Sequence, residues 1–381
     1  MIIVVDEAIP YWQAAFARTG EIRAVSARSV RPADCRDADA LIVRSVTRVG
    51  SHLLEGSSIR FVGTATIGVD HLDLDYLKAR RIHIANAPGS NANAVAEYVV
   101  AALLVLAERK GWRLPGKSIG IIGVGHIGTL VEKKASALGL KTMLCDPPLR
   151  ESTGDTRYGF FDDVIRADIL SLHVPLTTTG PYPTWHMLDR KVLQRLSPRQ
   201  TVINTSRGAV VSESDLRQTL RDRRIEGAVL DVWEGEPRID HDLLDLVDLG
   251  SPHIAGYSLD GKVRATAMVR EELCRFFGIQ ESWDTRNIFP QPQRLRPQAG
   301  MGSPDAVRSV VLQAYDILRD DMSLRALKGV PGDAAAERFD RLRTDNPLRR
   351  EFSHFTVELV EGKGLAQTFT ALGFEVAAGF Q

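Results

Sequence analysis

The segment from Gly123 to Asp146 holds the first spacing with a chemical meaning: Gly123-x-Gly125-x-x-Gly128, then Asp146 eighteen positions later. Glycines at these offsets permit a tight turn, a close backbone approach to a pyrophosphate and close helix packing, with the phosphates at the positive end of the helix. Asp146 lies near the ~20-residue distance at which a carboxylate accepts the hydroxyls of a ribose. A 2′-phosphate would meet negative charge there, so the pattern favours NAD over NADP; nearby Arg150 is the one feature that argues the other way. Three further stretches group ionisable side chains: Asn204-Thr205-Ser206-Arg207-Gly208, Asp231-Val232-Trp233-Glu234-Gly235-Glu236-Pro237 and Ser251-Pro252-His253-Ile254-Ala255-Gly256. Taken singly, a strand-end arginine is a paired or solvated surface group, a loop glutamate is solvated and a lone histidine is structural. All three follow strands or turns expected at the same end of one sheet, and that common location favours a joint reaction centre.

The elements that must position these residues are short apolar runs alternating with helical segments. Residues 119–122 lead into the glycines, a helix runs on to Leu138, and residues 141–145 end on Asp146. Residues 167–172, 201–204 and 228–232 continue the same domain, the last two nearly all apolar before a polar end, as fits parallel strands buried on both faces. Ligands bind off the carboxyl ends of such strands, which puts His173, residues 204–208 and residues 231–237 on one rim. A glycine fingerprint normally opens its domain, yet more than a hundred residues precede this one. They also read as α/β, with strands at 2–5, 22–25, 40–43, 60–63 and 82–85 and helices such as 10–18 and 72–79. A helix over 91–110 carries the chain into the fingerprint domain, and a helix over 261–277 is expected to return to the first. The organisation expected is a substrate-binding domain of residues 1–92 completed by 256–285, a nucleotide-binding domain of residues 93–255 and a C-terminal unit of residues 286–381. In that last unit residues 287–304, rich in proline, glutamine and glycine, read as a linker. Val307, Val310, Val311, Ala314, Ile317 and Leu318 form one apolar helix face, followed by a helix at 334–342, a strand at 355–360 and a helix at 365–372. About ninety residues make a marginal core, so this small α+β unit is expected to form a homodimer; the alternative is a tail packed on its own subunit.

Lys plus Arg and Asp plus Glu number 48 each, which gives no global field to attract nucleic acid or an anionic membrane. The three cysteines, Cys35, Cys145 and Cys274, are scattered without CxxC spacing, and the histidines at 52, 71, 83, 126 and 173 are dispersed. Neither pattern suits a metal centre or a disulfide frame. The start MIIVVDEAIP reads as a strand rather than a signal peptide, and the longest apolar run, residues 99–107, is too short to span a bilayer. The expectation is a soluble cytoplasmic protein.

From about residue 40 to residue 267 the chain resembles the D-2-hydroxyacid dehydrogenase family. The matching motifs are Thr66-Ile67-Gly68-Val69-Asp70-His71-Leu72-Asp73, Asn86-Ala87-Pro88-Gly89 with Asn91, Val95-Ala96-Glu97, the glycine fingerprint, His173-Val174-Pro175-Leu176 and the three ionisable stretches. The resemblance implies an α/β protein of two Rossmann-like, doubly wound parallel-sheet domains with NAD in the cleft, closing about crossings near Asn91 and Gly256. It also implies an Arg, Glu, His set at Arg207, Glu236 and His253. In such a set His253 accepts the hydroxyl proton while hydride leaves C2 of a 2-hydroxy acid, Glu236 holds the other ring nitrogen, and Arg207 grips the carboxylate through a two-pronged hydrogen bond. The cofactor contacts implied are Gly123, Gly125, His126, Ile127, Gly128, Asp146, His173, Pro175, Thr205, Ser206, Arg207, Asp231 and Gly256; some relatives carry tyrosine or arginine where this chain has His126. Details at 43–47, 63–68, 145–148, 253–258, 261–262 and 315–321 are similar to members that act on a phosphorylated hydroxy acid, which implies substrate contacts from Ser45, Thr66 and Tyr257. Arg44 is the nearest cation for the phosphate, or else a salt-bridged strand end, and Tyr257 is alternatively a packed ring. Two rivals share these residues: a member acting on another acid such as 3-phosphoglycerate, and a nucleotide-sensing binding protein with little turnover.

Overall fold

Runs of valine, isoleucine and leucine form the buried central strands of two parallel sheets, and a third, smaller parallel sheet is built from mixed polar and apolar strands. The computed structural model describes all residues except 27–28, 286–287, 299–301, 347–348, 360–362 and 378–381. It divides into two compact units, residues 1–92 with 258–291 and residues 93–257 with 292–381.

In the first unit β1 (Ile2–Asp6), β2 (Glu21–Val25), β3 (Ala40–Val43), β4 (Phe61–Thr64) and β5 (His83–Ala85) lie in the order β2-β1-β3-β4-β5, all parallel. The helix Leu259–Phe277 returns from late in the sequence to cover this sheet. Ser258 caps its start, accepting from the Gly261 amide at 2.9 Å, and Gly278 ends it at φ 70°. Its Val269 and Leu273 join Ile3, Ile42 and Phe61 in one apolar cluster.

In the second unit β6 (Ser118–Ile122), β7 (Lys141–Cys145), β8 (Ile169–Leu172), β9 (Thr201–Asn204), β10 (Gly227–Leu230) and β11 (Leu249–Gly250) lie in the order β11-β10-β9-β8-β6-β7, again all parallel. Winding reverses between β6 and β8, the place where such sheets bind ligands. A small sheet, β12 (Gln293–Leu295), β13 (Phe355–Glu358) and β14 (Glu375–Ala377), is parallel in that order. Here two readings of the sequence are corrected. β12 lies inside the supposed linker, where pairing to β13 and burial of Leu295 outweigh the local composition. The apolar face from Val307 to Leu318 is also two helices, Ser303–Ala314 and Ile317–Arg325, because Tyr315 is extended and the Asp316 carboxylate caps the second by accepting from the Arg319 amide at 3.2 Å.

The helix Ala92–Lys110 is apolar on nearly every side because it is covered on every side. Tyr98, Val99, Leu103 and Leu106 pack with Ile119, Ile121 and Ile203 of the six-stranded sheet and with Val310, Phe352, Val357 and Phe369 of the C-terminal extension. Leu324 and Phe339 of the extension join Leu230, Trp233 and Leu244 in a second cluster. Arg325 donates to the carbonyls of Leu244 and Val247 at 2.7 and 2.9 Å, and Asp321 accepts from the Gly250 amide at 2.8 Å. The extension thus completes both cores of the sheet.

Glu97, on the same helix, is 1% exposed; its Oε1 accepts from the Phe352 amide at 2.8 Å and from Asn93 Nδ2 at 2.7 Å. Burial pushes its carboxyl up from 4.5 to about 8, against the pull of the Lys134 ammonium 3.9 Å away. A carboxyl raised on folding contributes stability that is fully present below its unfolded pKa and is lost as pH rises through the folded value. Glu97→Gln keeps an acceptor for the Phe352 amide and should therefore flatten the fall in urea midpoint between pH 4.5 and 8; an unchanged slope would contradict this.

Candidate active site

The glycine loop follows from steric necessity. Gly123 turns the chain at φ 88°, and a Cβ there would lie 2.5 Å from the His173 carbonyl oxygen. A Cβ on Gly128 would lie 2.1 Å from the Gly123 carbonyl oxygen. Gly125 differs: an added Cβ would meet nothing within 4 Å, and this residue caps the helix His126–Ala137 without a side-chain bond. Open backbone at the first turn of a twelve-residue helix fits a pyrophosphate, with exposed His126 and half-buried Ile127 beside it. Asp146 accepts from the Val124 amide at 2.8 Å and from the Leu149 amide at 3.0 Å. A carboxylate offers about four acceptor positions, so Asp146 can brace this loop and still take ribose hydroxyls. Arg150 is otherwise engaged, donating to the Tyr158 carbonyl at 2.6 Å with its guanidinium 4.1 Å from the centre of the Phe160 ring.

β8 leads to His173, whose Nε2 and Nδ1 lie 2.8 Å from Ser171 Oγ and 3.2 Å from Thr205 Oγ1. Burial pushes this imidazole down to about 3, so it is neutral. The Pro175 carbonyl accepts from Thr184 Oγ1 at 2.5 Å. Past β9, Asn204 Oδ1 accepts from the amide and hydroxyl of Ser206 at 3.1 and 2.8 Å, and its Nδ2 donates to the Arg207 carbonyl at 3.0 Å. Arg207 donates from Nη1 to the Ser206 carbonyl at 2.8 Å. At Gly208 a Cβ would lie 2.0 Å from the Trp233 carbonyl carbon, so the loops after β9 and β10 are pressed backbone to backbone.

Asp231, 1% exposed, accepts from Ser251 Oγ at 2.6 Å and from the amides of Ile254 and Ala255 at 2.8 and 3.0 Å. Ser251 is held again by the Tyr98 hydroxyl at 2.7 Å, and its carbonyl accepts from the Trp233 indole at 3.0 Å. His253 donates its amide to the Asp231 carbonyl at 2.7 Å and sits at φ 57°, a conformation costly outside glycine. Its Nδ1 lies 2.5 Å from Glu236 Oε1, while Glu236 Oε2 accepts from the Trp233 amide at 3.2 Å. Burial works against the Glu236 charge, but the His253 bond and charge, the Arg343 charge and the Trp233 amide outweigh it and hold the carboxyl below its usual range. An ionised Glu236 accepts from Nδ1–H, which leaves Nε2 as the basic nitrogen.

Two arginines of the extension reach this loop. Arg343 Nη2 donates to the Tyr257 hydroxyl at 3.2 Å, and Arg349 Nη2 donates to the Ala255 carbonyl at 2.6 Å, with half-buried Gly256 between. No sequence signal could have found them, since each lies 86 and 94 positions from its partner on segments patterned only for packing.

In the first unit Arg44 donates from Nε and Nη2 to the buried carboxylate of Asp6 at 2.5 and 3.4 Å, the strand-end pairing. Ser45 is exposed just past β3, and Thr66, just past β4, donates to the Gly68 carbonyl at 2.9 Å and lies 2.7 Å from the Thr64 hydroxyl. Ser45 and Thr66 thus share one rim of their sheet. Among the described residues no group of three His, Cys, Asp or Glu side chains could hold a metal ion, and no helix is long and apolar enough to cross a membrane.

Comparison with known proteins agrees with this geometry. Residues 92–255 match the NAD-binding domain of D-isomer specific 2-hydroxyacid dehydrogenases, and residues 290–373 match a domain family of unknown function. The chain is 43% identical over 377 residues to erythronate-4-phosphate dehydrogenase of Escherichia coli, covering 98% of each. Its fold is similar to D-lactate dehydrogenase from Aquifex aeolicus complexed with NAD and lactic acid, with TM-score 0.60 and 24% identity over 73% of this chain and 96% of that one. It is likewise similar to an NAD-dependent formate dehydrogenase from Staphylococcus aureus in complex with NAD, with TM-score 0.59 and 23% identity over 74% and 98%.

The close approach at Gly208 gives a direct test. Gly208→Ala must push apart two backbones rather than a flexible side chain, and should destabilise by about 1–3 kcal/mol in urea unfolding. An unchanged midpoint would contradict the packing described.

Proposed function

The chain belongs to the D-isomer specific 2-hydroxyacid dehydrogenase family, and from that premise we propose that it oxidises 4-phospho-D-erythronate to 3-hydroxy-2-oxo-4-phosphobutanoate, a step of pyridoxine biosynthesis. It is an NAD-dependent oxidoreductase. The observation that carries the reaction type is the 2.5 Å contact between His253 Nδ1 and Glu236, which leaves Nε2 available. The substrate rests on a likeness that runs through 98% of the chain, extension included.

NAD, when bound, supplies the hydride acceptor. His253 Nε2 takes the proton of the C2 hydroxyl, and ionised Glu236 stabilises the imidazolium that forms. The second histidine at this rim, His173, is held neutral by burial and is unsuited to that exchange. Arg207 forks to the substrate carboxylate and steadies the developing carbonyl oxygen, which a lysine could not copy. For the cofactor, Gly123, Gly125, His126, Ile127 and Gly128 cradle the pyrophosphate and Asp146 takes the ribose, with His173, Pro175, Thr205, Ser206, Asp231 and Gly256 around the remainder. Ser45, Thr66 and Tyr257 contact the phosphorylated acid.

The reading extends to a homodimer formed through residues 286–381 and to the cytoplasm. Support for self-association comes from the edge strands β12 and β14 and from Met322, 64% exposed on the helix Ile317–Arg325. Support for a reducing compartment comes from three free, buried cysteines.

A single-turnover assay, following reduced nicotinamide absorbance with enzyme at substrate concentration, tests the reaction. A signal is expected with 4-phosphoerythronate and not with 3-phosphoglycerate; the reverse, or silence, overturns the assignment. His253→Asn, chosen because asparagine tolerates left-handed φ, should slow the signal by on the order of 10²–10⁴-fold and leave NAD affinity intact. Light scattering should give a particle of two 42.0 kDa chains, and a monomer overturns the dimer.

A further inference from the structure

The proposed substrate carries two anionic groups, a carboxylate on the carbon beside the reacting C2 and a phosphate ester on C4. Arg207 answers the first. Arg44, the cation nearest in sequence to the expected substrate contacts, has its charge balanced by the buried carboxylate of Asp6 at 2.5 Å. The helix Gly332–Thr344 of the extension provides a cation of a different kind. The Arg343 side chain is 21% exposed and makes one hydrogen bond among the described residues, to the Tyr257 hydroxyl at 3.2 Å. Its guanidinium lies 5.8 Å from the centre of the Tyr257 ring, the nearest carboxylate is Asp340 at 3.9 Å, and its Nε is buried without a partner. A guanidinium has five N–H donors, and most of these are unused. Asp340 at 3.9 Å and the Glu236 carboxylate act on its charge without taking up its N–H donors, which the oxygens of an incoming phosphate dianion would fill. Tyr257, its partner, follows His253 by four positions and belongs to the same loop.

We propose that Arg343 is a ligand of the substrate phosphate, placed by Tyr257, so that the C-terminal extension reads which hydroxy acid is oxidised. This rests on the reaction assigned above. The guanidinium forks to two phosphate oxygens while Arg207 holds the carboxylate at the other end, and the four-carbon chain between them presents C2 to His253.

The experiment compares wild type, Arg343→Met and Arg343→Lys as full-length chains, with steady-state kinetics on 4-phosphoerythronate and on D-erythronate, which lacks the phosphate. Arg343→Met should raise KM for the phosphorylated acid on the order of a hundredfold and lower kcat/KM for D-erythronate far less, the small loss there reflecting the arginine's charge on Glu236. Arg343→Lys, which keeps charge without the fork, should recover part of the loss and keeps the test valid if the methionine variant fails to fold. An unchanged KM for the phosphorylated acid, or an equal loss with both acids, overturns the proposal. If wild type itself ignores 4-phosphoerythronate, the reaction assignment falls and this proposal with it; if wild type oxidises it and the variants are indifferent, only this proposal falls.

Discussion

Burying the carboxylate of Asp231 is unfavourable unless its oxygens are satisfied, and every bond described for them comes from the 251–255 segment. That requirement gives the segment one low-energy arrangement. Ser251 is clamped further from the long helix by Tyr98 and from the β10 loop by Trp233, so His253 has little freedom to relax out of its left-handed backbone. The imidazole is thus aimed by groups that do not touch it. Glu236 fits the same scheme, because the Trp233 amide that braces its carboxylate lies between Asp231 and Glu236 in the loop. The strain at His253 is held by the satisfied charge beneath it.

Much of the fold was legible because its physical causes are local. Short uncharged β-branched runs bounded by turn residues read as buried strands, and each glycine of the fingerprint stands where a Cβ would strike backbone or bar an approach. The residues alone placed the stretches holding Glu236 and His253 at one rim, and it was the family resemblance that implied their pairing, which the 2.5 Å contact matches. β12 was not legible, since three residues flanked by proline and glutamine carry no periodicity of their own and owe their form to β13, some sixty positions away. The break at Tyr315 was hidden because the apolar spacing continues across it. Asp231 stood out as a polar strand end, but only the folded chain shows its oxygens taken up by the next loop.

The arginines make the same point in electrostatic terms. Sequence proximity to the expected substrate contacts pointed to Arg44 and passed over Arg343; in the fold the first faces a buried carboxylate at 2.5 Å and the second a tyrosine hydroxyl, with its nearest carboxylate at 3.9 Å. The first guanidinium is spent on its carboxylate, whereas the charge of the second also acts on Glu236 and helps keep that carboxyl ionised, though less than His253 does. Position along the chain says nothing of this difference, because it depends on what each guanidinium meets across the fold.

That the extension fills both cores of the six-stranded sheet has a consequence for how the protein is made. Synthesis proceeds at about 5–20 residues per second and earlier segments begin to fold while later ones are awaited. The sheet and its loops leave the ribosome before the residues that finish them: Phe339 and Phe352 in the cores, Arg325 on the carbonyls after β10, Arg349 on Ala255. For several seconds the nascent chain therefore exposes the apolar surface that its last segments will cover. A truncated product would keep every residue of the hydride-transfer set and lack the packing and the Arg349 bond to Ala255 that the last segments add around them.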